Sequence, residues 1–188
     1  MIGKIRLYWR NKQGLAAVEF AFVLPILLSM LLGLVELSQA LLLRTDVTNM
    51  SATAADLIAE ESSVSSTDLT NVFNALNAMV FPFDSTPSTI TITSVIDGGT
   101  GNTPKVAWSC TKSGTAETKN AAPSTAIPTG LITAGDGTSV IWAKITYAYN
   151  SPISYFLIGT KNWTNNFYLK PRRVLQIPIT GTPSGCNT

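Results

Sequence analysis

The sequence predicts an α+β protein: a long N-terminal transmembrane helix that continues into an exported domain with a second helix and an antiparallel sheet of about four strands. Three observations carry this. Residues 15–43 are almost wholly apolar, and Phe20 to Val35 is a charge-free run of 16 residues. Four basic residues (Lys4, Arg6, Arg10, Lys12) precede that run with no acid among them. From Pro82 onward the apolar period changes from that of a helix to that of a strand.

The chain of 188 residues has room for one membrane segment and one folded domain. A spanning helix needs ~20 mostly apolar residues. The run reaches that length only if Glu19 or Glu36 sits near an interface, and Glu36 reads as the marker of the outer one. Basic residues on one flank put the N-terminus in the cytoplasm and the body outside. The divisions expected are a basic leader at 1–14, a transmembrane and assembly helix at 15–43 and a periplasmic domain at 44–188.

Composition narrows the chemistry. Charged residues are 13% of the chain, against roughly 25% in soluble domains. Beyond the leader, nine basic side chains face eleven acidic ones, so a nucleic-acid partner is not expected. There is no histidine, which removes the commonest general base and metal ligand. Two cysteines are too few for a zinc site. No catalytic residue, metal, cofactor or small-molecule substrate is expected. The exported acids Asp84, Asp97, Glu117 and Asp136 fall in loops without motif spacing. Both Cys110 and Cys186 follow the apolar segment, and in an exported region a disulfide between them is the natural reading.

The N-terminal segment admits three readings. It can be an uncleaved signal anchor carrying a periplasmic binding or scaffold protein. It can be a secretory signal cut after Ser38, Gln39 and Ala40, although both the signal and its apolar stretch would then be unusually long. The third reading accounts for more residues. Gly14, then Leu15, Ala16, Ala17 and Val18, then Glu19 and Phe20, resembles the type IV prepilin processing motif. The wider stretch adds Pro25 and the spacing of Gly33 to Glu36, and is similar to TadE-like pseudopilins of tight-adherence pilus and secretion systems. The resemblance implies cutting between Gly14 and Leu15 by a prepilin peptidase. Other pilins, the pilus assembly machinery and inner-membrane lipid would be its further partners. It also implies a minor subunit acting in pilus biogenesis and adhesion, because the body is much larger than that of the small major pilins.

Each residue type suits that role. Gly14 lets an extended backbone enter a narrow site. A carboxylate within an apolar span costs ~2.5–3.5 kcal/mol at mid-membrane and less near the interface. Glu19 lies one turn beyond Leu15, so it can pair with the amine that cutting would expose, and the resemblance implies pairing with the amine of a neighbouring subunit. Phe20 completes the motif. Pro25 lacks an N–H and should bend the helix or loosen its bond to Ala21.

Past the membrane, Val47, Met50, Ala54, Leu57 and Ile58 share one helical face. A second helix is expected from Ser66 as N-cap, with Leu69, Val72, Phe73, Leu76 and Val80 as its core stripe. Strands are expected around Ile90 and Ile92, around Val106, Trp108 and Cys110, from Ile141 to Tyr149, and over Leu175, Ile177 and Ile179. Residues 98–104 and 113–137 read as loops, the second long enough to be mobile or to face a partner. Arg172 and Arg173 read as solvated strand-end charges or as a grip for an acidic partner.

Overall fold

A computed structural model describes residues 14–99, 103–133, 135–151 and 160–188. The leader before Gly14 and residues 152–159 lie outside the described residues. Helix α1 spans Leu15–Ala59, 45 residues, or about 68 Å at 1.5 Å per residue. It stays helical through Pro25. Its first half is exposed, and its buried face begins at Glu36 and continues through Ala40, Leu43, Val47, Met50, Ala54 and Ile58. That three- and four-residue spacing is one stripe of a helix. Domain packing therefore starts one turn or more before residue 44, inside the segment the sequence assigns to the membrane.

α1 ends at Ala59, where the N–H of Glu60 bonds back to Asp56 and Ile58. Arg172 N donates to the Ala59 carbonyl at 2.9 Å. The Arg172 guanidinium pairs with Asp56, and with Glu60 at 3.0 Å. This arginine is thus used within the chain instead of being a free strand-end charge. Both pairs are about half exposed, so they fix geometry more than they add stability.

Helix α2 spans Ser66–Met79 and buries Leu69, Val72 and Leu76. Its N-cap is Ser65, one residue before the expected Ser66, because Asp68 then stands at the third helical position and closes a capping box. Ser65 N donates to Asp68 at 2.9 Å, and Asp68 N donates to Ser65 Oγ at 3.3 Å. The Ser65 hydroxyl and backbone hold the Asp68 carboxyl below its ordinary value of 3.8. A lowered folded value means the stabilisation is complete above 3.8 and is lost as pH falls through the folded-state value. An Asp68→Asn variant should therefore melt below wild type near neutral pH, with the gap closing on the acid side of 3.8. Thermal melts across that range check it; a gap independent of pH contradicts the capping role.

The sheet is antiparallel and five-stranded, with β1 (Ser88–Asp97), β2 (Pro104–Lys112), β3 (Ser139–Asn150), β4 (Thr160–Leu169) and β5 (Cys186–Asn187) in the order β4-β3-β1-β2-β5. Alternate residues Ile90, Ile92, Trp108, Cys110, Ile141, Ala143, Ile145, Tyr147 and Tyr149 face the helices and share one core with them. Val106 is buried but lies outside that core. It pairs with Val95 across a bulge between Ser94 and Val95, and one extra residue is enough to break the alternation expected with Trp108 and Cys110.

The expected strand over Leu175, Ile177 and Ile179 does not form. Leu175 is 66% exposed, and Pro178 interrupts the run by removing a ladder donor. The segment instead crosses the sheet end. Ile177 is buried, its carbonyl accepts from Trp108 Nε1 at 2.8 Å, and Ile179 makes an isolated parallel bridge to Val64. The fourth full strand is β4, which alternates Trp163, Asn165, Phe167 and Leu169 against the core side. Asn165 disguises that period in the sequence, and its side-chain amide donates to Ser51 on α1.

The 113–137 segment is structural. Ile132 joins Val95, Val140 and Trp142 in a second buried cluster. Trp142 also stacks on Tyr168 at 6.2 Å and donates to Asn166 at 3.0 Å. The segment is held by Asn120 N to Val106 O at 2.8 Å, Glu117 N to Ser109 Oγ at 3.0 Å and Gly135 N to Asp97 at 2.6 Å. The chain end is tied to the same sheet. Cys110 and Cys186 are joined through sulfur with Cα atoms 4.0 Å apart. Gly185 has φ +77°, and a Cβ there would stand 2.6 Å from the Thr111 carbonyl, so both conformation and space require glycine.

Candidate functional site

The exposed first half of α1 is the part of the molecule with no structural explanation of its own. Phe20, Phe22, Ile26, Met30, Leu31 and Leu34 are each more than half exposed. A soluble protein rarely presents so large a continuous apolar surface. α1 is long and apolar enough to cross a membrane, with a mean hydropathy of 2.4 in its most apolar window.

Gly14 stands at the N-cap with φ −85° and ψ −14°, without a side-chain cap, and nothing lies within 4 Å of where its Cβ would be. The helix places Leu15 and Glu19 one turn apart on the same face. Glu19 is exposed, and among the described residues it has no hydrogen-bond or ion-pair partner. Phe20 is 59% exposed beside it. Pro25 cannot donate to Ala21, yet the helix is not interrupted there. Gly14, Leu15, Glu19 and Phe20 are therefore all exposed within the first two turns of the stem, with Glu19 one turn from its start.

Residues 14–56 match the TadE-like protein family.

The TadE-like match covers the exposed stem and nearly all of the buried half of α1. Residues 57–188, which include α2 and the whole sheet, lie beyond it. No curated protein and no solved structure matches the chain. The match is therefore a likeness of the helical stem alone.

The acids outside the TadE-like segment serve turns. Asp84 accepts from Thr86 N at 2.9 Å and from its hydroxyl, and Asp136 accepts from Thr138 in the same way. These bonds hold both carboxyls below the usual range. Asp97 accepts from Gly99 and Gly135, and Glu117 from Ser124. A cleft of about 620 Å³ lies at the base of the domain between Gln39, Leu42, Phe83 and Tyr147. Its one lining carboxylate is Asp84, which already accepts from Thr86.

Two groups escaped the sequence reading. Glu36 is 1% exposed rather than set against the headgroups, and among the described residues its Oε1 has no hydrogen-bond partner. Tyr149, also buried with a hydroxyl that meets no partner among the described residues, has its phenol pushed up first by burial and then by the Glu36 carboxylate. Glu36 is the first member of the buried stripe that continues through Ala40, Leu43 and Val47, and that spacing was the available signal. Its position at the end of an apolar run points to the outer membrane interface instead.

Proposed function

We propose that the chain is a minor pseudopilin-like subunit of a tight-adherence system, processed between Gly14 and Leu15 and acting in pilus biogenesis and adhesion. One observation supports it above the others. An exposed apolar stem, with Glu19 one turn past Leu15 and without a partner among the described residues, runs without a break into the helix that the sheet packs on. A helix of that design can rest in lipid first and pack against other stems afterwards. Glu19 then pairs with the amine of a processed neighbour, which relieves the cost of its burial.

The basic leader favours a single pass of a bacterial inner membrane with the N-terminus in the cytoplasm and the domain in the periplasm. The link between Cys110 and Cys186 suits that oxidising side. A prepilin peptidase would act on Gly14, and other pilins and the assembly machinery would receive the product. The large sheet domain suits a priming or tip position.

N-terminal sequencing and intact mass of the membrane-extracted protein test this reading. Leu15 at the terminus, with or without an N-methyl group, is expected. Met1 would leave a plain anchor, and Leu41 a secreted protein.

A further inference from the structure

One face of α1 changes character abruptly. Leu34, Leu37 and Leu41 are about half exposed and are followed at the same helical spacing by Arg44 and Thr48. Counted from Glu19, ~20 residues carry the helix across the hydrocarbon layer, and Arg44 then stands about 7 Å beyond it, at headgroup depth.

At that level α1 and β4 enclose a cleft of about 350 Å³ lined by Arg44, Thr48, Lys161, Trp163 and three further polar residues of β4. The Arg44 guanidinium lies over the Trp163 ring, 5.6 Å from its centre. Among the described residues that line the cleft there is no carboxylate, and neither Arg44 nor Lys161 forms an ion pair. Asp46, two residues on, projects to another side of the helix. Trp163 Nε1 is buried and meets no acceptor among the described residues. A second cleft of about 310 Å³ carries the surface down the helix from Arg44 and Thr48 to Leu41. Two cations line a space to which no described lining residue brings an acid, directly above an apolar track.

We propose that this cleft binds the phosphodiester of an anionic phospholipid from the leaflet on the domain side. Arg44 and Lys161 hold the phosphate, Trp163 backs the guanidinium, and Leu34, Leu37 and Leu41 carry an acyl chain. A basic side chain near an anionic lipid contributes roughly fivefold in affinity, so two contribute about twentyfold or more. The site rests on α1 spanning the membrane and is independent of cleavage at Gly14.

The test uses the full chain in nanodiscs of equal phosphatidylglycerol and phosphatidylcholine, with retained lipid read by native mass spectrometry after detergent extraction. Wild type should retain phosphatidylglycerol preferentially. The Arg44→Gln/Lys161→Gln variant should lose that preference by about twentyfold, and Arg44→Lys/Lys161→Arg should keep it. Equal retention of both lipids by wild type, or an undiminished preference in the double glutamine variant, overturns the proposal. Millimolar inorganic phosphate should leave the lipid in place; displacement by it would assign the site to a soluble phosphate and remove the lipid. Flotation with pure phosphatidylcholine vesicles reads anchoring separately. All variants should float, and failure of wild type to float would refute the span on which the site rests.

Discussion

Replacing Glu19 by alanine should leave the protein in the membrane and remove it from the assembly. Insertion depends on the apolar run, and taking a carboxylate out of that run lowers its cost by as much as ~2.5–3.5 kcal/mol if the group lies deep, less near the interface. The variant therefore inserts at least as well as wild type. Assembly is different. Among the described residues Glu19 has no partner of its own, so its charge is free to be matched from another subunit. Truncating one member of a desolvated charge pair costs about 2–5 kcal/mol, which is at least a thirtyfold loss of incorporation. Glu19→Gln, which keeps the shape and removes the charge, should fail similarly, whereas Glu19→Asp should retain part of the function. Membrane flotation and recovery in the sheared pilus fraction read the two properties independently. Normal incorporation of the alanine variant would refute the pairing.

The largest effect on stability should come from the sulfur link. Cys110 and Cys186 are 76 residues apart in sequence, and closing a loop of that size restricts the unfolded chain by about 4–5 kcal/mol. What the link holds explains why nothing else substitutes for it. β5 has only two residues, and they pair only with Ser109 and Cys110. The remaining ties of the chain end are Thr111 N to Gly185 O at 2.9 Å and the Asn187 amide to the carbonyls of Ala116 and Glu117. Those few bonds cannot offset the entropy of ordering the terminus. A Cys110→Ser/Cys186→Ser variant should melt roughly 10–15 °C below wild type. The oxidised wild-type protein should titrate no free thiol under denaturing conditions, and two titratable thiols would refute the link.

The two expectations differ in how they were reached. Glu19 stands out in one dimension because a charge inside an apolar run has no local reason to be there. The stem, its apolar length and the helical stripe from Val47 to Ile58 are likewise local, since the period of a helix is written in consecutive residues. The same holds for α2, whose start moved by one residue only because a capping box depends on the pair Ser65 and Asp68 together.

The sheet was legible only where both faces followed the rule. β1 and β3 alternate strongly and were placed correctly. β4 has one solvated face, and Asn165 on its core side finds its partner Ser51 on another element, 114 residues away in sequence. No local pattern can announce such a bond. The run over Leu175, Ile177 and Ile179 erred in the other direction, because alternation was present without a neighbour able to pair with it across Pro178.

The sequence by itself determined the stem, its lone carboxylate, the basic leader and the choice of α+β. These follow from composition and short-range period. Only the tertiary structure decided that Glu36 is buried at the base of the domain, that Arg172 answers Asp56 and Glu60, and that the 113–137 segment covers the second face of the sheet. It also brought Lys161 and Trp163 beside Arg44. Each of these joins residues far apart in the chain, and burial or pairing at such distances is set by which surfaces the whole fold brings together.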